Sequence, residues 1–343
     1  MRNHAKSERV LKLGYKASSE QFGPTELLEY AVLAESTGLD SVWISDHFQP
    51  WRHTGGHAPF SLAWLGALGA RTNRITLGTS VLTPTFRYHP SVVAQAFATL
   101  GELFPRRVVL GLGTGESINE VPATAVRWPD QKERTARFRE ALHLIRLLWS
   151  EDRVSFDGQF YRTSKATIYD KPKDAVPLFI AGAGPFIAKL AGLEGNGFIC
   201  TSGKNRELYT DTLLPNVQAG LLASALPERP FERMIEMKVS YDSDRERALE
   251  DTHFWGALGL TAEEKANVED PMELEKLADA LPVERTASRW IVSDDPEEMV
   301  ERIGAYVSLG FDHLVFHAPG PDQARFLRLF TQQVAPRLRR KFG

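Results

Sequence analysis

The sequence predicts an α/β fold, a (β/α)8 TIM-type barrel with insertions, and three observations lead to it. Short aliphatic and β-branched segments recur between longer amphipathic ones along the chain, which is the pattern of repeated βα units. About eight of the apolar segments are predicted strands, the number that closes a parallel barrel. The length of 343 residues is one that a single barrel domain with insertions can occupy, so we expect one domain over residues 1–343.

The predicted strands are separated by segments long enough to hold a helix. They are Leu11–Tyr15, Ser41–Ile44, Ile75–Val81, Val108–Leu112, Leu178–Ala181, Gly197–Cys200, Met234–Ser240 and His313–His317. Predicted helices begin at Pro24 and Pro90, because proline favours the first turn of a helix. A third helix is predicted over Arg137–Trp149, where apolar residues recur at helical intervals.

Two stretches depart from the simple repeat and are expected insertions, near residues 150–176 and 242–294. In the first, Arg153–Arg162 is predicted to form two short strands around Asp157-Gly158, a favoured hairpin turn. The second contains helical patterns such as Pro271–Ala280 between the seventh and eighth predicted strands. Long insertions after barrel strands often cover a binding site.

Composition excludes several classes of function. The net charge of −3 and pI near 6.3 provide no positive field for a nucleic acid. Cys200 is the only cysteine, so an internal disulfide and a cysteine-based zinc site are both excluded. We expect no metal. The polar N-terminal segment and the lack of any apolar run near ~20 residues predict no membrane span and a cytoplasmic protein.

Polar residues follow almost every predicted strand, at the end where a parallel barrel carries its active site. Asp46 and His47 follow the second strand, and the third runs into Thr83. The segments 113–116, 183–184 and 201–204 follow the fourth, fifth and sixth strands. The sequence therefore predicts a site assembled from these loops.

Two of these residues can exchange protons. His47 carries a side chain that can exchange a proton near neutral pH, and Asp46 beside it can accept a hydrogen bond from a cofactor or orient the site. Glu116 follows a glycine-rich strand exit where a backbone can approach a flat cofactor closely. Glu120 could serve equally well, and the pattern does not choose between them. The glycines at 111, 113 and 115 are weak evidence for NAD, because Glu116 replaces the last glycine of that fingerprint.

The segments 45–53 (SDHFQPWRH), 78–88 (GTSVLTPTFRY) and 113–116 (GTGE) resemble the F420-dependent glucose-6-phosphate dehydrogenases of the luciferase-like superfamily. The likeness runs from about Lys12 to Arg340 and covers nearly the whole chain. It implies a luciferase-like barrel, a homodimer and a non-proline cis peptide at Ser80-Val81.

The resemblance also implies which residues form the site. Those implied for F420 binding are Asp46, Thr83, Asn119, Ala183, Gly184 and Thr201, with Ser80 and Val81 behind the ring. Those around the reacting centre are His47, Trp51 and Glu116. Those around the sugar phosphate are Lys204, Lys265 and Arg289, three cations that suit a dianion.

The expected reaction is oxidation of a sugar 6-phosphate, first of all glucose 6-phosphate to 6-phosphogluconolactone, by hydride transfer from the anomeric carbon to F420. His47 is the expected base, Glu116 the proton source near the ring and Trp51 a positioning group. Alternatives are an F420-dependent dehydrogenase for another sugar phosphate or an alcohol, and an FMN-dependent luciferase-like monooxygenase. A barrel that binds the coenzyme without turnover is a further alternative, against which His47 and Glu116 argue.

Overall fold

The computed structural model describes residues 10–226, 228–261, 263–265 and 268–343. Its strands are β1 Lys12–Ala17, β2 Ser41–Ile44, β3 Thr76–Thr79, β4 Val108–Leu112, β5 Val154–Asp157, β6 Arg162–Ala166, β7 Leu178–Ala181, β8 Gly197–Thr201, β9 Glu232–Tyr241, β10 Ile291–Ser293 and β11 His313–His317. All eight predicted strands are present, most of them with ends within two residues of the prediction.

Eight parallel strands close into the predicted barrel. The order of the sheet is β10-β9-β11-β1-β2-β3-β4-β7-β8, and β8 also pairs with β9, which completes the ring. The short strand β10 pairs with β9 outside the ring. The sequence did not predict β10, because three residues are too few to show a strand pattern.

The helices surround the barrel. They are α1 Pro24–Ser36, α2 Ser61–Arg71, α3 Pro90–Leu103, α4 Ser117–Thr124, α5 Gln131–Ser150, α6 Pro185–Glu194, α7 Leu214–Ala223, α8 Arg245–Glu250, α9 Pro271–Asp279, α10 Val283–Ala287, α11 Pro296–Leu309, α12 Gln323–Gln333 and α13 Ala335–Phe342, with a π-helix at Leu208–Leu213 and a 3₁₀ segment at Asp251–Gly259. No helix in the described ranges is both long and apolar enough to cross a membrane.

Helix α5 begins at Gln131, earlier than the predicted start at Arg137. Asp130 caps it, because its carboxylate accepts a hydrogen bond from the backbone N–H of Glu133 at 2.8 Å. The first turns of α5 carry mostly charged residues, so the apolar pattern alone places the start too late. The predicted apolar stripe is confirmed, because Phe138, Leu142 and Ile145 are fully buried.

Strands β5 and β6 form the predicted hairpin, but the predicted turn is wrong. Asp157 pairs with Arg162, so the loop contains the four residues 158–161 rather than a two-residue Asp157-Gly158 turn. The carboxylate of Glu140 accepts hydrogen bonds from the backbone N–H groups of residues 159, 160 and 161 at 2.7–3.0 Å. This contact with α5 holds the wider loop.

The barrel interior has an apolar layer and a charged layer. The apolar layer consists of Trp43, Val109, Phe179, Ile199, Met234 and Val315. On β9, Glu236 and Lys238 follow Met234 at intervals of two, so all three point inwards. The carboxyl-terminal half of the barrel is therefore lined by charged side chains rather than by the usual branched apolar ones.

Strand β3 ends at Thr79, before the predicted end at Val81. The next peptide bond, Ser80-Val81, is cis, as the resemblance implied. Leu82 then forms an isolated parallel bridge with Leu112 of β4.

Candidate active site

A cavity of about 410 Å³ opens at the carboxyl ends of the barrel strands. Nearly all the predicted site residues line it: Asp46, His47, Trp51, Ser80, Val81, Thr83, Glu116, Asn119, Ala183, Thr201, Lys204, Lys265 and Arg289. Gly184 is not among the lining residues, but it follows Ala183 and is the N-cap of α6. The structure therefore brings the predicted residues to one place.

His47 lies between two carboxylates. Its Nε2 is 3.2 Å from Oε1 of Glu20 and 3.9 Å from Oε2 of Glu116. Its Nδ1 is 3.1 Å from the backbone oxygen of Gln49 and 3.2 Å from Nδ2 of Asn119. The imidazole is thus fixed on both sides, and a proton on Nε2 faces negative charge.

Glu20 is a site residue that the sequence analysis missed. It is buried, and its Oε2 accepts a hydrogen bond from the hydroxyl of Ser45 at 2.6 Å. Burial raises the pKa of Glu20, but His47, Lys16 and the Ser45 hydrogen bond outweigh burial and hold that pKa below its ordinary value. Glu20 comes directly after β1, so the rule that located the other loops could have found it.

The structure distinguishes Glu116 from Glu120. Glu116 precedes α4 with a side chain 53% exposed and lines the cavity. Glu120 is buried, and Arg87 binds it through the backbone N–H at 3.0 Å and through Nε at 3.3 Å. Burial raises the pKa of Glu120, while Arg87 opposes that rise. Glu116 is therefore the carboxylate that a ligand in the cavity can reach.

Asp46 lines the cavity, but its carboxylate is already engaged. Arg87 donates to Oδ2 at 2.7 Å, while Ser61 and Tyr88 donate to Oδ1 at 2.6 and 3.1 Å. Arg87 thereby joins Asp46 to the buried Glu120. The wall behind His47 is consequently held by a network of charged hydrogen bonds.

Three cations converge at another part of the cavity. Within the described ranges, no carboxylate oxygen lies within 4.0 Å of the side-chain nitrogens of Lys204, Lys265 or Arg289. The guanidinium of Arg289 has only long contacts, 3.4 and 3.5 Å, to backbone oxygens. Burial and the charges of Arg289 and Lys265 lower the pKa of Lys204. The cluster has an excess of positive charge that an anionic ligand would balance.

Glycine at position 203 keeps this cluster together. Gly203 has φ +74°, and a Cβ there would lie 2.4 Å from the backbone oxygen of Arg289. Only glycine combines this conformation with so close an approach. Lys204 is therefore carried by a loop that packs tightly against the segment bearing Arg289.

The floor of the cavity is the charged layer of the barrel, which the sequence analysis also missed. Oε2 of Glu236 is 3.1 Å from Nζ of Lys16, and Oε1 is 3.0 Å from Nζ of Lys238. Lys16 also donates to the backbone oxygen of Ser80. His317 places Nδ1 3.5 Å from Oε1 of Glu236, and burial lowers the pKa of His317.

One side of the cavity suits a flat group with an anionic tail. A Cβ at Gly113 would lie 2.7 Å from Cγ2 of Val81, so the wall is smooth only because residue 113 is glycine. Nearby, α6 begins at Pro185 with no side-chain cap on its N-terminus, and the space around Gly184 is open. Free N–H groups at such a helix start favour an anion.

Comparison with known proteins gives consistent matches. Residues 10–313 match the family described as "Luciferase-like monooxygenase". A protein of Nakamurella multipartita named "F420-dependent glucose-6-phosphate dehydrogenase" is 61% identical over 333 residues, which cover 97% of this chain and 98% of the relative. A protein of the same name from Mycolicibacterium smegmatis is 60% identical over 331 residues, covering 96% and 98%.

A solved structure extends the comparison to the arrangement of the whole fold. It is described as an F420-dependent secondary alcohol dehydrogenase in complex with an F420-acetone adduct. It superimposes with a TM-score of 0.89 at 33% identity and covers 96% of this chain and 99% of its own.

Proposed function

The chain belongs to the luciferase-like family and, within it, to the F420-dependent glucose-6-phosphate dehydrogenases, and from this membership we propose that it oxidises glucose 6-phosphate to 6-phosphogluconolactone with coenzyme F420. The observation that carries the proposal is the presence, in one cavity, of the His47–Glu20 pair and of three cations without a carboxylate partner in the described ranges. The first can accept a proton and the second can hold a phosphate dianion.

The residues on the flat side of the cavity fit F420, which supplies a deazaflavin ring able to accept a hydride when it is bound. Ser80 and Val81 would support the ring, and Thr83, Asn119 and Thr201 offer hydrogen bonds around it. Ala183 and Gly184 at the start of α6 would receive the phosphate of the coenzyme tail. Asp46 would shape this wall, since both of its oxygens already accept hydrogen bonds.

His47 would accept the proton of the anomeric hydroxyl while the hydride leaves the anomeric carbon. The imidazolium that forms would lie 3.2 Å from the carboxylate of Glu20. Opposite charges at this distance in a buried site attract strongly, which favours proton transfer to His47.

Glu116 and Trp51 would complete the reacting centre. The carboxyl of Glu116 lies on the open side of His47 and would exchange a proton with the ring. The indole of Trp51 is 5.9 Å from the imidazole of His47 and 5.5 Å from Nζ of Lys265, measured to the indole centroid. Trp51 would therefore contact a sugar that extends from the base to the cations.

Lys204, Lys265 and Arg289 would bind the 6-phosphate of the substrate. Three cationic hydrogen-bond donors are well suited to bind a phosphate dianion. We also expect a homodimer and a cytoplasmic location from the family resemblance; sedimentation of the purified protein and fractionation of cells would test these two expectations.

A second candidate is oxidation of an alcohol without a phosphate, as in the name of the structure at TM-score 0.89. The decisive experiment mixes purified protein with oxidised F420 and follows loss of its visible absorbance. Parallel samples contain one substrate each: glucose 6-phosphate, fructose 6-phosphate, glucose or 2-propanol. A further sample contains glucose 6-phosphate with NADP instead of F420. We expect rapid bleaching with glucose 6-phosphate. If 2-propanol bleached F420 and neither sugar phosphate did, the second candidate would be established instead.

A further inference from the structure

A charged layer occupies the barrel interior directly beneath the candidate active site. Glu236, Lys238 and Lys16 all line the cavity, although their side chains are only 11, 4 and 5% exposed. Barrel interiors are ordinarily filled by branched apolar side chains, and burying charge is costly unless every charge is matched. A layer of this kind therefore points to a role in binding or chemistry.

Within this layer, the ammonium groups outnumber the carboxylates. Two ammonium groups share the single carboxylate of Glu236, one at each oxygen. Lys16 has a second partner, because it also donates to the backbone oxygen of Ser80. Lys238 makes one side-chain hydrogen bond in the described part of the chain, to Glu236 at 3.0 Å. Since an ammonium carries three protons, Lys238 keeps donors for a ligand.

The position of Lys238 distinguishes it from the three cations at the cavity mouth. Lys204, Lys265 and Arg289 belong to loops and insertions that follow the strands, whereas Lys238 lies within β9. Its charge is nevertheless close enough to contribute to the lowered pKa values of Lys204 and Lys265. The three cations would hold the phosphate of the sugar and His47 its anomeric hydroxyl. The sugar ring between them would then lie over the charged layer.

We propose that Lys238 and Glu236 bind ring hydroxyl groups of the sugar and so determine which epimer is accepted, an inference that rests on the proposed function. A hydroxyl group both donates and accepts a hydrogen bond, and the pair offers a donor and an acceptor 3.0 Å apart. The phosphate site cannot perform this discrimination, because the epimers carry the same phosphate. A buried polar pair rejects a sugar that leaves it unpaired.

The test compares the wild-type protein with Lys238→Met, which keeps the length of the side chain and removes its charge. Substrates are glucose 6-phosphate, its 2-, 3- and 4-deoxy analogues, mannose 6-phosphate and galactose 6-phosphate. In the wild type we expect one deoxy position to lower kcat/KM about 10- to 100-fold, the range for a hydrogen bond to a charged group. In Lys238→Met, the kcat/KM for glucose 6-phosphate should fall by a similar factor relative to the wild type. Removing the same hydroxyl from the substrate should then lower the kcat/KM of this variant little further.

Three controls separate this role from others. Lys12→Met removes a lysine that pairs with Glu232 at the opposite end of the barrel and should leave the selectivity unchanged. Glu236→Gln should weaken the same discrimination, because it removes the negative charge and replaces one acceptor oxygen by a donor. The inhibition constant of inorganic phosphate should rise much less in Lys238→Met than in Lys204→Ala, because Lys238 acts on that site only through its charge. An equal rise in both variants would make Lys238 a phosphate ligand and overturn the inference.

The wild type alone can refute the inference if the variants do not fold, which thermal unfolding and F420 fluorescence titration will reveal. If the wild type is active and no deoxy position lowers kcat/KM more than about threefold, Lys238 and Glu236 do not determine specificity, and the proposed function is unaffected. A wild type that does not reduce F420 with any sugar phosphate overturns the proposed function itself, and this inference with it.

Discussion

Nε2 of His47 and Oε1 of Glu20 are 3.2 Å apart, and the two side chains are 11 and 5% exposed. The pair joins the loop after β2 to the loop after β1, and the parallel pairing of these two neighbouring strands brings the loops together. Because solvent is nearly excluded, opposite charges on the two side chains would be screened less than at the surface. This relationship is the reason we propose His47 as the base of the site.

Replacing Glu20 by Gln should lower kcat about 10- to 100-fold and leave the KM for glucose 6-phosphate nearly unchanged. The amide is isosteric but no longer stabilises the imidazolium. Steady-state kinetics with F420 measures both constants.

Glu232→Gln is the matched control, because Glu232 pairs with His313 at 2.7 Å at the other end of the barrel. This variant should lose stability but keep its turnover. An unchanged kcat in Glu20→Gln would show that His47 does not need the carboxylate.

Replacing Glu116 by Gln should slow turnover while the Kd of F420, measured by fluorescence quenching, stays the same. The half-exposed carboxyl is placed to exchange a proton rather than to hold the coenzyme. Glu120→Gln should instead lower the thermal midpoint, because it removes the charge that Arg87 binds. Turnover equal to the wild type would remove Glu116 from the proton path.

Replacing Lys204 or Arg289 by Ala should raise the KM for glucose 6-phosphate about 10- to 100-fold with a smaller change in kcat. Each change removes one of the charges expected to hold the phosphate. Lys276→Ala, at an exposed position on α9, is the control and should have no effect. If the KM stayed constant in both site variants, the phosphate would bind elsewhere.

The dependence of kcat/KM on pH should reveal the lowered pKa of Lys204. Its ordinary value is 10.5, and burial with the nearby cations lowers it. A lysine with a lowered pKa loses its proton as pH rises through that pKa, so kcat/KM for glucose 6-phosphate should fall with rising pH in the range below 10.5.

Lys204→Arg keeps the charge over this range and should move the fall to higher pH. The same alkaline profile in both proteins would assign the titration to another group.

Replacing Gly203 by Ala should destabilise the protein by at least about 1–2 kcal/mol and raise the KM for glucose 6-phosphate. The new Cβ is disfavoured at φ +74° and would lie 2.4 Å from the backbone oxygen of Arg289. Thermal unfolding and kinetics measure the two effects.

Gly38→Ala is the control for the backbone conformation, since Gly38 has φ +94° with nothing within 4 Å of a Cβ. It should lose stability without a change in KM. An equal rise in KM in both variants would contradict the role of the Gly203 contact.

The sequence predicted the barrel well because its parallel strands are buried runs of apolar residues between clear loops. Strands β2, β4, β7 and β11 match their predicted bounds. The prediction was weaker where contacts far along the chain decide the structure. The hairpin loop is held by hydrogen bonds to Glu140 on α5. Strand β10 forms by pairing with the last residues of β9.

The candidate site divides in the same way. Strand ends indicated His47 from position and left Glu116 and Glu120 as equal candidates. Lys265 and Arg289 lie in an insertion without a strand pattern and came only from the family resemblance. Glu20 and Lys238 were missed for a physical reason. The importance of Glu20 comes from His47 in the loop after β2, and that of the Lys238–Glu236 pair comes from Lys16 on β1 and from its place inside the barrel. The charged residues Glu236 and Lys238 within the predicted strand Met234–Ser240 could have indicated the charged layer beneath the cavity.

The most direct test of the central claim uses glucose 6-phosphate that carries deuterium at the anomeric carbon. After one turnover with oxidised F420, mass spectrometry of the reduced coenzyme measures where the deuterium went. We predict reduced F420 that contains one deuterium atom, together with 6-phosphogluconolactone that contains none. Reduced F420 without deuterium, or deuterium retained in the sugar product, would contradict hydride transfer from the anomeric carbon to the coenzyme.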